Sequence, residues 1–214
     1  MALRFDTSHE GDRIYSGRCT EQMSFLISGG MTPISVAQSM RRRLDLRNSR
    51  HEIRADYIDN YIDTGDAIVS HPDGRLKIIL DSQHLREITA ESEIDNGAFV
   101  LSHDSYRALQ GEEFRNDKLD NMGLLLSREQ VKSHPIWQFL ARDRSLLNDY
   151  ADFIFAEGEK DFTYDLAMGV YTCSAGGNAP EIRNCSIGGI GDLYSLDFRA
   201  SLNGRGGRFI GVFR

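Results

Sequence analysis

The sequence predicts an α+β fold in a single domain, with a helical layer packed on an antiparallel sheet. Two observations carry this prediction: apolar residues recur at helical spacing in two segments, whereas the alternation typical of strands dominates the last quarter. Helices and hairpins segregated in this way are typical of α+β folds. No linker interrupts the chain, so we treat residues 1–214 as one domain, helix-rich at 20–62 and 127–157 and strand-rich at 66–80 and 161–214.

Three helices are predicted in the first part of the chain. The first covers 20–27, and the second begins at Thr32 and Pro33, because proline suits the first helical position. The third runs from about Ser49 to Ile62, where Ile and Tyr residues form one apolar stripe. A series of carboxylates follows, Asp56, Asp59, Asp63 and Asp66, of which the first three fall on one side of this helix. We interpret them as its solvated face; the alternative is a site for Mg²⁺ or Ca²⁺.

Two hairpins are predicted in the strand-rich segments. The stretch "DAIVSHPDGRLKIILDS" places turn residues, "HPDG", between two strand-like flanks. Near the end of the chain, "DLYSLDFRAS" alternates strictly, and "RFIGVFR" is predicted to return as its partner strand. The alternation assigns Tyr194, Leu196 and Phe198 to one face and puts four polar residues on the other: Ser195, Asp197, Arg199 and Ser201.

Composition narrows the classes of function. The net charge is −7, which disfavours nucleic-acid binding because that affinity comes largely from neutralising phosphates. No apolar run approaches the 18 residues or so of a membrane span, and no signal peptide is recognisable. The three cysteines form no C-x-x-C pair. We therefore expect a soluble cytoplasmic protein that needs no metal or other cofactor and does not bind membranes.

Cys19 is the first candidate for chemistry. It opens the first predicted helix, and a helix N-terminus lowers the pKa of a thiol. His71 and His103 are candidate bases that would activate it. The segments "GRCT" at 17–20 and "TGDAIVSH" at 64–71 resemble papain-like amidases that cleave peptidoglycan, and the resemblance implies a cysteine-nucleophile hydrolase. The alternative is that Cys19 is a small buried apolar residue.

Arginines supply a second candidate site. Six of them fall within residues 41–54, and Arg42, Arg43 and Arg47 are the predicted contacts to a small anionic ligand or an acidic protein partner. The alternative is that these side chains pair with carboxylates on the same segment.

A pair of glutamates raises a third possibility. In "FAEGEKDF" the spacing of Glu157 and Glu159 resembles the acidic pair of ADP-ribosyltransferases, which implies roles for Arg18 and Ser102 upstream. The same residues also fit the polar end of a helix that stops at Gly158. Our preferred prediction is a non-catalytic protein that binds a protein partner, another copy of itself or a small anionic ligand. The cysteine hydrolase and the transferase are the alternatives.

Overall fold

The computed structural model describes residues 11–48, 55–119, 122–161 and 165–213. The helices are α1 (Cys19–Ser28), α2 (Val36–Asp45), α3 (Gln83–Arg86), α4 (His103–Ala108), α5 (Arg128–Ser133), α6 (Pro135–Ala141) and α7 (Arg144–Asp161). The strands are β1 (Arg13–Ser16), β2 (Thr32–Pro33), β3 (Ile62–Ser70), β4 (Arg75–Ile79), β5 (Ile94–Asp95), β6 (Ala98–Val100), β7 (Glu112–Arg115), β8 (Val170–Tyr171), β9 (Glu181–Ile187), β10 (Leu196–Asp197) and β11 (Arg208–Val212). Shorter turns are π-helical at Ala55–Asp59 and 3₁₀ at Asn116–Lys118 and Ile190–Asp192.

Within the described residues, all eleven strands join one mixed sheet with β3 and β9 at its centre. These two strands pair antiparallel from Ile62 opposite Ile187 to Ser70 opposite Glu181. Strand β11 lies parallel to β3 and antiparallel to β1, so the first and last described strands are neighbours. Two pairs of strands are parallel, β3 with β11 and β8 with β10. The other described pairs are antiparallel. The predicted α+β fold is confirmed.

Helices cover both faces of the central strand. Ile62 and Ile68 of β3 face the larger core, which is filled by α2 and α5 to α7 and includes the fully buried Trp137. Ala67 and Val69 point the opposite way, into a core shared with α1, α3 and α4. All nine residues of β3 are therefore buried, as expected of a strand enclosed on both sides.

Several predicted elements form where local signals are strong. The hairpin at 66–80 is confirmed, since β3 and β4 pair from Ala67 opposite Ile79 to Ser70 opposite Leu76. Helices also return after residue 127, where Ser127 and Gln130 form a capping box, although α7 continues past Gly158 to Asp161. None of the described helices combines the length and apolar character needed to cross a bilayer.

Two predicted helix boundaries are wrong. Helix α2 begins at Val36 and is capped by Ser35, whose hydroxyl accepts from the Gln38 N–H, whereas Thr32–Pro33 forms β2 beside β11. The predicted third helix begins in residues 49–54, which lie outside the described part of the chain. Its later part is only one π-helical turn, and Ile62 already belongs to β3. A spacing of about four residues between apolar side chains is compatible both with a helix and with a turn followed by a buried strand.

The predicted C-terminal hairpin is also wrong. Only Leu196–Asp197 of its first half is a strand, and this short strand pairs with β9 and β8. Strand β11 pairs with β1 instead, Ile210 lying opposite Ile14. The alternation predicted the apolar face correctly, because Tyr194, Leu196 and Phe198 are buried, but Ser195 on the predicted polar face is buried as well.

Candidate functional site

A pocket of about 540 Å³ opens where β3, β9 and β10 meet the loops between residues 188 and 207. Its floor is formed by polar side chains of the central strands, Asp63 from β3 and Asn184 and Ser186 from β9. Its walls carry aromatic side chains, among them Tyr61 and Tyr171. A concave site with an aromatic lining and a few convergent polar groups is typical of a ligand pocket.

Asp63 is the most constrained polar group of the pocket. The carboxylate is 4% exposed, and its Oδ1 accepts hydrogen bonds from Ser186 Oγ and, at 2.8 Å, from Asn184 Nδ2. Its Oδ2 accepts from the Arg208 backbone N–H, also at 2.8 Å. Burial raises the pKa of Asp63, whereas these three hydrogen bonds act to lower it. Three donors therefore hold a desolvated carboxylate in place at the bottom of the pocket.

The guanidinium of Arg199 lies at one wall of the pocket. Arg199 donates from Nε and Nη2 to the two oxygens of Asp197, at 3.0 and 2.7 Å. The same guanidinium lies 4.6 Å from the ring centroid of Tyr171, within the range of a cation–π contact. This wall of the pocket thus pairs a carboxylate with an aromatic ring, two groups that bind cations.

Glycines let the loops of the pocket approach the strands closely. A Cβ at Gly207 would overlap the carbonyl oxygen of Gly17, while the Gly207 carbonyl accepts from the Gly17 N–H at 2.8 Å. Next to it, a Cβ at Gly206 would lie 3.3 Å from the hydroxyl of Tyr61, which is 36% exposed at the pocket. Burial raises the pKa of Tyr61, and the charge of Asp63 raises it further. The loop thus brings backbone close to acidic and phenolic groups.

Cys19 lines the same pocket but is buried in an apolar environment. It is 3% exposed and packs with Met23, Leu26 and Phe209. Burial, followed by the charge of Asp63, raises the pKa of its thiol, the opposite of what a nucleophilic thiolate requires. The helix N-terminus is therefore outweighed by desolvation, and Cys19 fits the alternative of a small buried residue. All three cysteines are free.

The predicted histidine bases lie elsewhere. His71 directly follows β3, eight residues beyond Asp63, which corresponds to about 25 Å of extended chain. His103 opens α4 and contacts His71, with 3.2 Å between Nδ1 of His103 and Nε2 of His71. The structure therefore brings the two histidines together, at the end of β3 opposite the pocket residue Asp63. No described hydrogen bond joins either histidine to Cys19, and the hydrolase alternative stays a prediction.

The arginine segment does not form one surface. Arg43 is fully buried, and its guanidinium donates to the Tyr57, Asn60 and Ile187 carbonyls and to the Tyr150 hydroxyl. Arg42 donates to both oxygens of Asp12, at 2.9 and 3.0 Å, and Arg47 is exposed after the end of α2. Residues 50 and 54 lie outside the described part. Arg43 therefore stabilises the core and cannot contact a ligand at the surface, which corrects the prediction for this residue.

The residues of the transferase alternative also stay apart. Glu159 on α7 pairs with Arg128 at 2.8 Å, and Ser102 caps α4 by accepting from the Ser105 N–H. Arg18 precedes α1 and pairs with Glu21. Each side chain is engaged locally on a different element, so no catalytic group forms from them.

Sequence reasoning missed the pocket but identified part of its lining. The four residues of the predicted polar face, Ser195, Asp197, Arg199 and Ser201, all line it. From the sequence, Asp63 was assigned to a solvated helix face. Its burial could not be predicted, because it follows from the position of Asp63 in the central strand β3. Within the described residues, no three His, Cys, Asp or Glu side chains come together as metal ligands.

Comparison with known proteins identifies the fold. No protein-family model matches the chain, and no curated protein matches it. A solved structure described as "Accommodation of massive sequence variation in Nanoarchaeota by the C-type lectin fold" is similar, with a TM-score of 0.70 and 14% sequence identity. The similarity covers 98% of this chain and 100% of that chain. The chain therefore has a C-type lectin-like fold.

Proposed function

We propose that this protein is a non-catalytic binding protein whose pocket takes a cationic group, either a small amine or a basic side chain of a partner protein. The observation that carries this proposal is the charge of the lining: three carboxylates, Asp63, Asp192 and Asp197, face a single cation among the described lining residues. That cation, Arg199, is already paired with Asp197. The pocket thus retains uncompensated negative charge, which favours a cation and repels the small anionic ligand predicted from the arginines.

The pocket wall already holds a group of this kind. The guanidinium of Arg199 contacts both the Asp197 carboxylate and the Tyr171 ring, so a similar cation from a ligand would share or displace these contacts. Asp63 adds a buried carboxylate whose Oδ2 accepts one hydrogen bond among the described residues. A ligand N–H that reached this oxygen would form a charge-assisted hydrogen bond in a desolvated site, where such bonds are strong.

Most of the pocket lining lies on loops, where recognition sites are common. Most of the lining between residues 188 and 207 lies outside the strands, so its side chains can change without altering the sheet. The similar solved protein is described as accommodating massive sequence variation on the C-type lectin fold. A scaffold that separates a loop-borne site from a rigid core suits the recognition of different ligands or partners. Self-association stays a prediction.

Titration with charged probes tests the proposal. Acetyl-arginine amide and acetyl-lysine amide are added to ¹⁵N-labelled protein, with acetyl-glutamate amide as the anionic probe. We expect the cationic probes to shift the amide signals of Asp63, Ser186 and Asp197. Asp197→Asn is expected to weaken binding at least tenfold, since hydrogen bonds to charged groups contribute about 1.5–3 kcal/mol.

Asp117→Asn is the matched control, because Asp117 pairs with Arg115 at the surface and does not line the pocket. Its probe affinity should equal that of the wild-type protein. Equal shifts with the anionic probe, or shifts that persist in Asp197→Asn, would show that the negative lining does not select the ligand.

A further inference from the structure

His71 and His103 form a contact that neither the pocket nor the core explains. His71 lies in the turn between β3 and β4, and His103 is the first residue of α4. The Nε2 atom of His71 and the Nδ1 atom of His103 are 3.2 Å apart. The His71 side chain is 12% exposed and His103 is exposed, so the pair is accessible from solvent.

The outer nitrogens of the two rings fix where their protons lie. Nδ1 of His71 is 2.7 Å from Oδ1 of Asp73, and a carboxylate oxygen only accepts, so this nitrogen carries a hydrogen. The Asp73 N–H also approaches this nitrogen, at 3.3 Å, but that longer contact cannot form while Nδ1 is protonated. Nε2 of His103 is 3.2 Å from the carbonyl oxygen of Asn178, which also only accepts. Both outer nitrogens are therefore donors.

This assignment leaves two lone pairs facing each other. A neutral imidazole carries one hydrogen, so the inner nitrogens, Nε2 of His71 and Nδ1 of His103, are both acceptors. Two acceptors 3.2 Å apart repel unless a cation lies between them. With nitrogen–metal bonds of about 2.0–2.1 Å, this separation corresponds to a nitrogen–metal–nitrogen angle of about 100°, near the tetrahedral value.

The surroundings of the pair match those of metal-binding histidines. Such histidines almost always donate their other ring N–H to a carboxylate, a backbone carbonyl or a water, which orients the ring and makes it a better ligand. Here the Asp73 carboxylate accepts from His71, and the Asn178 carbonyl accepts from His103. Asp73 also pairs with Arg75, at 2.9 Å, so its part in the site is to orient the His71 ring and not to add uncompensated negative charge.

We propose that His71 and His103 form a two-histidine site for a transition-metal ion of the Zn²⁺ class. The inner nitrogens of the two rings are the ligands, and water or a donor group of a bound molecule completes the coordination. This completion is needed because the described residues supply no third protein ligand. Neutral imidazole suits Zn²⁺, Ni²⁺ and Cu²⁺, whereas Mg²⁺ and Ca²⁺ prefer oxygen ligands.

Calorimetric titration of tag-free, metal-stripped protein with Zn²⁺ at pH 7.5 tests the site. We expect one saturable event with a stoichiometry of one, weakened at least tenfold in His71→Asn and in His103→Asn. Asp73→Asn should weaken it about 10–100-fold, the usual effect of losing the partner of a ligating histidine. Mg²⁺ should produce no saturable heat.

Two control variants exclude other ligands. His84→Asn removes a histidine on α3. Cys173→Ser removes a half-buried thiol near the site, since the Cys173 backbone carbonyl accepts a hydrogen bond from Ser70, the residue before His71. Both variants should bind Zn²⁺ as the wild-type protein does, and all variants should keep the wild-type circular dichroism spectrum. Zn²⁺ binding that is absent in the wild-type protein, or unchanged in both histidine variants, would overturn the proposal.

A proton shared by the two rings is the competing occupant, and nuclear magnetic resonance separates it from a metal. The ¹⁵N shifts of the imidazoles should show Nδ1–H in His71 and Nε2–H in His103, and Zn²⁺ should move the two inner nitrogens. If a proton shared by the two inner nitrogens persists at saturating Zn²⁺, then a proton and not a metal ion lies between the rings. That result would overturn the metal site.

Discussion

Replacement of Arg43 is expected to destabilise the protein far more than replacement of an exposed arginine on the same helix. Arg43→Met keeps the length of the side chain but removes every donor. Four acceptors then lose their partner: the carbonyls of Tyr57, Asn60 and Ile187 and the hydroxyl of Tyr150. The cation–π contact with Tyr194, at 5.7 Å, is lost as well.

The size of the effect follows from these contacts. A buried polar group left without a partner costs about 1–3 kcal/mol, and the Tyr150 hydroxyl can rotate towards another acceptor. At about 1 kcal/mol for each of the four acceptors, the loss is about 4 kcal/mol, a large part of the 5–15 kcal/mol typical of a folded protein. For a chain of this length we expect Tm to fall by about 10 °C.

Urea denaturation followed by circular dichroism measures this loss, with Arg41→Ser as the matched control, because Arg41 is exposed on α2. The control should change the free energy of unfolding by no more than about 0.5 kcal/mol. If Arg43→Met is as stable as the control, then the hydrogen bonds of Arg43 do not stabilise the fold. The same result would restore Arg43 as a candidate ligand contact.

Two further predictions concern groups that burial holds in one protonation state. His134 is 6% exposed, neither ring nitrogen has a described partner, and burial lowers its pKa to about 4. Its unfolded pKa is near 6.5, so it contributes stability above pH 6.5 that is lost as pH falls towards 4. The loss reaches about 3 kcal/mol, and urea titrations at pH 7 and 4.5 should show a smaller difference for His134→Gln than for the wild-type protein. Iodoacetamide at pH 8 should alkylate the half-buried Cys173 before Cys19 or Cys185, and peptide mass spectrometry that found Cys19 modified first would contradict its burial.

One helix start and one hairpin could be predicted because their signals are local. The "HPDG" turn joins β3 to β4 as predicted, and Ser127 with Gln130 caps α5. A turn residue or a capping box acts within four residues, so the sequence alone contains the whole interaction. The same holds for the apolar face of 194–198, where the alternation of apolar residues is local, although only Leu196–Asp197 forms a strand.

The partners of the strands could not be predicted. β11 pairs with β1, nearly two hundred residues away, and the alternation of "RFIGVFR" is equally compatible with any antiparallel neighbour. The central strand gave a second false signal, because β3 is buried on both faces although it contains carboxylates, which are typical of a solvated face. Its carboxylates, Asp63 and Asp66, looked solvated only because their partners lie far along the chain.

Asp63 and Asp66 lie on the same strand but have different surroundings, one at the pocket and one between elements of the fold. Asp66 accepts from the Val36 N–H at the start of α2 and from the Asp81 N–H, and it pairs with Arg142 at 2.8 Å, so its charge is used to join elements of the fold. Asp63, three residues earlier, is held by donors from β9 and by the first residue of β11, and it lines the pocket. One strand therefore carries a carboxylate that joins elements of the fold and a carboxylate that lines the pocket. The strand fixes the position of Asp63, and the loops of residues 188–207 are free to set what reaches it.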